Sequence, residues 1–144
     1  MPIKFYTDHT ILPKQIKKKL ISEWINEIIY KKEKKPGKIL YIFCSDKQIR
    51  KLNRQYLQHD YYTDIITFDY STMNELSGEL YVSLDTVKTN AVKFNTNYME
   101  ELYRVLIHGI LHLCGINDKT AADQIKMKEE ENKAIEILMN KLKM

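Results

Sequence analysis

The sequence contains few of the residues that characterise disulfide-linked or membrane-spanning proteins. Only 2 of its 144 residues are cysteine, and Cys44 and Cys114 do not stand in a Cys-x-x-Cys spacing. We therefore expect two small buried thiols in a reducing compartment. No apolar stretch reaches the roughly 18 residues of a membrane span, and Met1 to Pro13 has no basic segment followed by an apolar run. The sequence thus predicts a cytoplasmic protein without a secretory signal or membrane partner.

Glycine and proline are also scarce, at 4 and 3 residues. No repeat, low-complexity tract or Pro/Gly/Ser-rich linker divides the chain, so we expect one domain over residues 1–144. The net charge is only +4, but lysines crowd the first quarter of the sequence. Such a surface attracts phosphate backbones without reading sequence, although the pattern also fits a solvated helix face followed by a lysine-rich loop.

Apolar periodicity predicts strands at residues 3–7, 39–44, 63–70 and 78–84, with helices between and after them. We expect Pro36-Gly37 to end the first helix and Phe94 and Leu142 to face the core. Residues 98–114 form a helix whose second half is apolar on nearly every side, which indicates a buried position. This order fits an α+β or α/β sandwich. Of the two we expect α+β, with a small mixed four-stranded sheet packed with about five helices.

A metal site is predicted on this buried helix. His108 and His112 are four residues apart, so both imidazoles lie on one helical face and can bind one ion. Gly115 ends the helix, and Asp118 can then turn back as a third ligand. Buried polar groups must be satisfied, and a metal would satisfy both rings at once. The donor set suits Zn²⁺, and also Fe²⁺, Ni²⁺ or Mn²⁺, with a position left open for water.

Other ligand sets and another reading of the histidines remain open. His9 or His59 could replace Asp118, although neither has a spacing argument, and Asn117 offers only a neutral amide. Cys114 lies half a turn away from the second histidine, and we reject it as a ligand. Without a metal, the two histidines would be core residues bonded to carbonyl groups.

Two enzyme classes can be compared with this metal site. A zinc peptidase of the His-Glu-x-x-His type keeps a glutamate after its first histidine as general base. Gly109 occupies that position, so the peptidase interpretation loses its base. Two histidines and one carboxylate are also the facial triad of non-haem Fe(II) oxygenases, although such enzymes are usually larger.

The motifs resemble a known family. The segment from His108 to Gly115, His-Gly-Ile-Leu-His-Leu-Cys-Gly, looks like the signature of the bacterial YbeY-type rRNA maturation endoribonucleases (UPF0054). Two further blocks resemble that family, Leu52-Asn53-x-x-Tyr56 with Asp60 and then Thr63 to Phe68, and a Gly-Glu-Leu strand begins at Gly78. The matching blocks fall within about residues 52 to 130.

The resemblance implies a metal-dependent, single-strand-specific endoribonuclease that acts in 16S rRNA 3′-end maturation and ribosome quality control. It implies one Zn²⁺ per chain, held by His108, His112 and Asp118, with no small-molecule cofactor. The implied partners are ribosomal RNA and the small ribosomal subunit. A ribosome-associated RNA-binding factor with a structural zinc, or a different metal-dependent hydrolase, is the alternative.

The sequence departs from the family pattern at two positions. The family usually has histidine where this chain has Asp118, and it generally has an arginine after the tyrosine of the first block, where this chain has Leu57. Arg54 lies three residues earlier, near the same helical stripe. We therefore hypothesise that Arg54 partly replaces the missing catalytic cation, while a solvated surface position is the alternative interpretation.

Overall fold

The computed structural model describes residues 3–57 and 63–143. Within them the strands are β1 (Lys4–Thr7), β2 (Lys35–Cys44), β3 (Ile65–Asp69) and β4 (Glu75–Ser83). The α-helices are α1 (Lys18–Lys31), α2 (Asp46–Leu52), α3 (Leu84–Lys93), α4 (Tyr98–Leu113) and α5 (Ala121–Leu142), and a π-helical turn covers Asn53–Leu57. This arrangement confirms the predicted α+β class. None of the described helices is long and apolar enough to cross a membrane.

The four strands form one mixed sheet in the order β1-β2-β4-β3. The central strand β2 runs parallel to β1 and β4, whereas β3 is an edge strand antiparallel to β4. Helices α1 and α4 pack on one face of the sheet, and α5 packs on both of them. On the opposite face, which we call the open face, α2 covers only a small cluster of Cys44, Ile49 and Ile66.

The main core lies between the sheet and helices α1, α4 and α5, and two of its aromatic side chains pair their polar atoms with backbone carbonyl groups. Trp24 has no exposed surface, and its indole N–H donates to the Ala134 carbonyl oxygen at 2.8 Å. Tyr41 is equally buried, and its hydroxyl donates to the Leu106 carbonyl oxygen at 2.7 Å. Buried aromatic side chains keep such partners because an unpaired polar tip is costly. These two bonds tie α1 to α5 and the sheet to α4.

Helix α4 approaches the sheet closely at Gly109. A Cβ atom at this position would lie 2.4 Å from Leu80 Cδ2 and 2.8 Å from Ile65 Cδ1. Those distances are far below van der Waals contact, so a larger residue at this position would require the ends of the Leu80 and Ile65 side chains to shift. In the sequence, Gly109 occupies the position at which a zinc peptidase of the His-Glu-x-x-His type has its glutamate base. The structure shows its packing role, which sets His108, its neighbour, beside the edge strand β3.

The predicted end of the first helix is wrong. Helix α1 ends at Lys31, and Glu33 adopts a left-handed backbone conformation with φ of 61°. The Lys34 amide then donates to the Ile29 carbonyl oxygen at 3.2 Å, which closes the turn. Pro36 and Gly37 lie inside β2, at a point where its pairing with β4 shifts register. Such irregular positions tolerate a proline that cannot donate to a regular ladder.

Two side chains predicted to face the core are exposed. Phe94 is the C-cap residue after α3 and is 57% exposed, while Leu142 ends α5 and is 40% exposed. Both follow the apolar periodicity of their helices, but the last turns extend past the layer that buries the preceding residues. Periodicity assigns a face and does not show where that face leaves the core.

Candidate functional site

The two histidines of the motif lie on one face of α4, as predicted. Their rings are nearly parallel, at an angle of 10°, with centroids 6.2 Å apart. The His108 side chain is 27% exposed, whereas His112, one turn later, is exposed. The prediction that both rings are buried is therefore wrong for His112, because the last turn of α4 reaches the surface. Burial requires a partner only for His108.

Gly115 turns the chain back towards the histidines. Its φ of 97° lies in the left-handed region, and the amides of Gly115 and Ile116 donate to the carbonyl oxygens of His112 and Leu111 at 3.0 and 3.1 Å. This is a Schellman motif, which ends a helix on glycine. The chain beyond it brings Asp118 Oδ2 to 3.3 Å from His108 Nε2. The structure thus brings together the predicted pair of His108 and Asp118.

Glu131 is a member of the site that the sequence reasoning missed. This residue of α5 is 7% exposed, and its Oε2 lies 2.6 Å from His108 Nδ1. Arg104 Nη1 donates to the other carboxylate oxygen at 3.0 Å. The signal in the sequence was a carboxylate on the buried face of α5, one turn after the buried Met127. A buried carboxylate requires a charged or donating partner, and His108 and Arg104 are those partners.

The charges around His108 favour its protonated form. Burial alone would lower the pKa of His108, but the hydrogen bond and charge of Glu131, together with Asp118 and Asp64, raise it overall. Asp64 shows the opposite balance, because burial raises the pKa of its carboxyl group while the charge of His108 lowers it. The imidazole therefore lies among three carboxylates, and a cation at this place is electrostatically favoured.

A cavity of about 320 Å³ opens beside these residues, between α4 and the edge strand β3. His108, His112 and Asp118 line one side, and Asp64 and Thr67 line the strand side. Asn53, from the π-helical turn, completes the wall and is 1% exposed. In the sequence, Asp64 and Asn53 are recognisable only as parts of motifs. In the structure both are polar groups of the same cavity as the two histidines.

Arg54 and two of the alternative ligands, His9 and Asn117, are not among the described residues that line the cavity of His108. Arg54 is exposed in the π-helical turn, where its neighbour Asn53 is the residue that lines the cavity. His9 lies 3.5 Å from Asp8 and lines a separate cavity with Lys88 and Tyr98. Within the described residues, Asn117 is exposed and does not line the cavity of His108.

The structure says less about three other residues, which are His59, Asp60 and Cys114. His59 and Asp60 fall outside the described residues, so the role considered for His59 stays a prediction. Cys114 has a free thiol, and burial raises its pKa to about 11. Cys114 is not among the described residues that line the cavity of His108, and its rejection as a ligand stays a prediction.

The donor chemistry suits a metal, but the side chains are not arranged around one. Among residues 3–57 and 63–143, no group of three or more His, Cys, Asp or Glu stands in an arrangement that could hold a metal ion. Nevertheless, two imidazoles and a carboxylate line the same cavity, and these are donor types that zinc prefers. A carboxylate on the second nitrogen of a ligating histidine is also the usual support in metal sites. The predicted metal set stays a prediction.

Comparison with known proteins identifies the family. A family model described as endoribonuclease YbeY matches residues 3–139. The chain is 58% identical to an endoribonuclease YbeY from Parabacteroides distasonis, with 96% of each chain covered. It is 57% identical to one from Bacteroides fragilis, with 94% of this chain and 96% of the relative covered.

A solved structure supports the same relationship. The solution structure of a Thermotoga maritima protein has the same fold, with a TM-score of 0.65 and 30% identity over 98% of this chain and 91% of that one. The match runs nearly the whole length of the chain and includes the strands and helices that form the cavity. Together with the motif around His108, these comparisons establish that the chain belongs to the endoribonuclease YbeY family.

Proposed function

We propose that this protein is a metal-dependent endoribonuclease that cleaves single-stranded RNA in the cavity beside His108. The observation that carries the proposal is the convergence of His108, His112 and Asp118 on one cavity, in a chain whose family is named for RNA cleavage. The cleaved RNA would be ribosomal, at the 16S 3′ end, in a cytoplasmic process that also monitors ribosome quality. The small ribosomal subunit is the partner that this role requires.

The residues of the proposed centre would either hold the metal ion or keep one of its ligands in place. His108, His112 and Asp118 would hold one zinc ion, and Glu131 would keep the His108 ring in place through its 2.6 Å contact. When bound, zinc supplies Lewis-acid chemistry to a phosphoryl oxygen and lowers the pKa of a water molecule. Because Arg104 spans α4 and α5 to reach Glu131, the orientation of His108 depends on both helices.

The remaining cavity residues would bind the RNA itself. Asn53, Thr63 and Thr67 offer amide and hydroxyl groups on the cavity wall, and such groups bind ribose and phosphate oxygens. Asp64 faces the same space and is able to accept a proton from a ribose hydroxyl or from water. Arg54 remains the proposed cation for the negative charge that develops on the phosphate.

One experiment tests this function directly. Protein purified without added metal is examined by elemental analysis and incubated with single-stranded RNA, beside His112→Ala and Asp118→Ala variants. We expect about one zinc per chain and RNA cleavage in the parent, and loss of both in the variants. A parent that takes up no metal, even when zinc is offered, or that leaves RNA intact, contradicts the proposal. A 2′,3′-cyclic phosphate on the products would identify the ribose 2′-hydroxyl as the nucleophile.

A structural-zinc RNA-binding factor is the competing function, and the exposure of His112 makes the two separable. Removing an exposed side chain normally changes stability by less than about 0.5 kcal/mol. A catalytic ion therefore predicts that His112→Ala stays folded but inactive. A structural ion predicts that the same variant unfolds at a clearly lower temperature, because metal-binding free energy is then folding free energy.

A further inference from the structure

The open face of the sheet carries a second concave surface, away from the cavity of His108. We call it the sheet groove and define it by Lys4, Tyr6, Lys38, Leu40, Tyr70 and Glu79. Its volume is about 620 Å³. Helix α2 covers another part of this face, so the groove is open to solvent.

The groove has aromatic walls. Tyr6 on β1 is 49% exposed, and Tyr70, which follows β3, is 60% exposed. Tyr70 is also held in position, because its hydroxyl donates to Glu79 Oε1 at 3.1 Å. That bond occupies the phenol O–H group. The ring itself stays available for stacking.

Cationic and apolar groups complete the groove. Lys4 and Lys38 are exposed at its margin, and Leu40 of the central strand forms part of its floor. The cross-strand register places Lys4 beside Leu40, and Leu40 beside Glu79. Stacking platforms flanked by lysines are the usual chemistry for binding single-stranded nucleic acid.

Among the described residues, the sheet groove and the cavity of His108 have no lining residue in common, but residues from the same edge of the sheet line both. Ile65, Ile66 and Thr67 of β3 line the cavity of His108, and Tyr70 follows three residues later on the same edge of the sheet. Three residues of strand span about 10 Å, the length of about three stacked nucleotides. Three inter-strand spacings separate β1 from β3, so the sheet is roughly 14 Å wide between these two edge strands.

We propose that the sheet groove binds the single-stranded RNA that leads to or from the cleavage site, with bases on Tyr6 and Tyr70 and phosphates on Lys4 and Lys38. This inference rests on the proposed RNA-cleaving function and adds a binding surface outside the cavity. It predicts that affinity grows with RNA length beyond what the cavity alone accommodates. It also predicts that the added affinity depends on the two rings and on salt.

Fluorescence anisotropy with a cleavage-resistant, 2′-O-methyl twelve-nucleotide RNA tests the groove. The double variant Tyr6→Leu/Tyr70→Leu keeps apolar bulk but removes the π faces, and we expect its Kd to rise at least about tenfold. Tyr30→Leu is the matched control, because Tyr30 is 60% exposed on α1, outside the groove. It should bind as the parent does. Melting temperatures of all variants are measured alongside.

A second variant keeps the test valid if the tyrosine variant fails to fold. Lys4→Gln/Lys38→Gln removes two exposed charges, and each phosphate contact contributes about 0.7 to the slope of log affinity against log salt. We expect the slope to fall by about 1.4. A folded tyrosine variant with a Kd within twofold of the parent overturns the inference, as does an unchanged salt slope.

The outcomes also separate this inference from the proposed function. If the parent cleaves RNA and both groove variants bind RNA as the parent does, the groove inference is wrong and the proposed function is not affected. Self-association of the parent that the tyrosine variant abolishes, with RNA binding unchanged, would assign the groove to a second copy of the chain and also overturn the inference. A parent that binds RNA through the groove without cleaving any RNA contradicts the proposed function and leaves the groove supported.

Discussion

His108 Nδ1 and Glu131 Oε2 lie 2.6 Å apart and join helix α4 to helix α5 at the candidate site. With Nδ1 bonded to this carboxylate, Nε2 of the same ring faces Asp118 at 3.3 Å. A carboxylate in this position fixes the ring orientation and tautomer of a histidine and raises its basicity as a ligand. Glu131 is thus a positioning residue, 23 positions away from His108 in sequence.

Replacing Glu131 should weaken metal binding. We expect Glu131→Gln to reduce zinc affinity about 10- to 100-fold, the usual effect of losing such a partner, and Glu131→Ala to reduce it further. Competition with a chromophoric chelator measures the affinity without an RNA assay. Asn132→Ala is the matched control, since Asn132 accepts only the second Arg104 hydrogen bond, at 2.9 Å. Glu131→Gln with the affinity of the Asn132 variant would contradict the role.

The sequence predicted the parts of the site that depend on residues close together in the chain, and it did not predict the parts that depend on contacts between distant elements. His108, His112 and Gly115 are within eight residues, so helical geometry and a glycine stop were enough to place them. Glu131 contacts His108 only because α5 packs back onto α4, and no periodicity within α4 carries that information. The exposure of His112 likewise depends on where the core ends. Local patterns specify elements and turns, whereas packing between distant elements decides partners and burial.

Gly109→Ala should destabilise the fold. The added methyl would overlap Leu80 Cδ2 and Ile65 Cδ1, and overpacking of this kind costs about 1–3 kcal/mol. Urea unfolding followed by circular dichroism measures the change in the free energy of unfolding. If the cause is the clash with Leu80, the penalty of Gly109→Ala should be smaller in a Leu80→Ala background. An equal penalty in both backgrounds would assign the cost to something other than this contact.

Gly115→Ala should also destabilise the protein, but for a different reason. A Cβ there would meet nothing within 4 Å, so the cost comes only from the left-handed backbone, about 1–2 kcal/mol for an L-residue. Asparagine tolerates this conformation better, and Gly115→Asn should therefore lose less stability than Gly115→Ala. The comparison uses the same urea unfolding experiment. If the two variants are equally stable, backbone strain at Gly115 is not the cause.

Glu130 should make stability depend on pH through its contact with Lys32. The hydrogen bond from Lys32, opposed by some desolvation, lowers the pKa of Glu130 from its ordinary value of 4.5. A folded-state pKa below the unfolded one gives stability that is fully present above about pH 4.5 and is lost as pH falls through the folded value. We expect Glu130→Gln to cost about 0.5–1 kcal/mol at pH 7.

The test of this ion pair is the pH dependence of that cost. The difference in unfolding free energy between the parent and Glu130→Gln should shrink as the pH falls below 4.5, the ordinary value for this carboxyl group. Glu129→Gln is the matched control, because Glu129 is the exposed neighbour on the same helix. A cost that stays constant down to acid pH would show that the Glu130 side chain stabilises the protein by packing and not by charge.

The two cysteines should resist alkylation in the folded protein. Burial, assisted by the charges of Asp8, Asp46 and Asp85, raises the pKa of the Cys44 thiol to about 12. Cys44 is only 1% exposed, and the more accessible Cys114 has a pKa raised by burial to about 11. Thiolate is the reactive form, so at pH 8 we expect iodoacetamide to label both far more slowly than free glutathione. Mass spectrometry should show two labels per chain once urea unfolds the protein, and rapid labelling of Cys44 in the native state would contradict its buried position beneath α2.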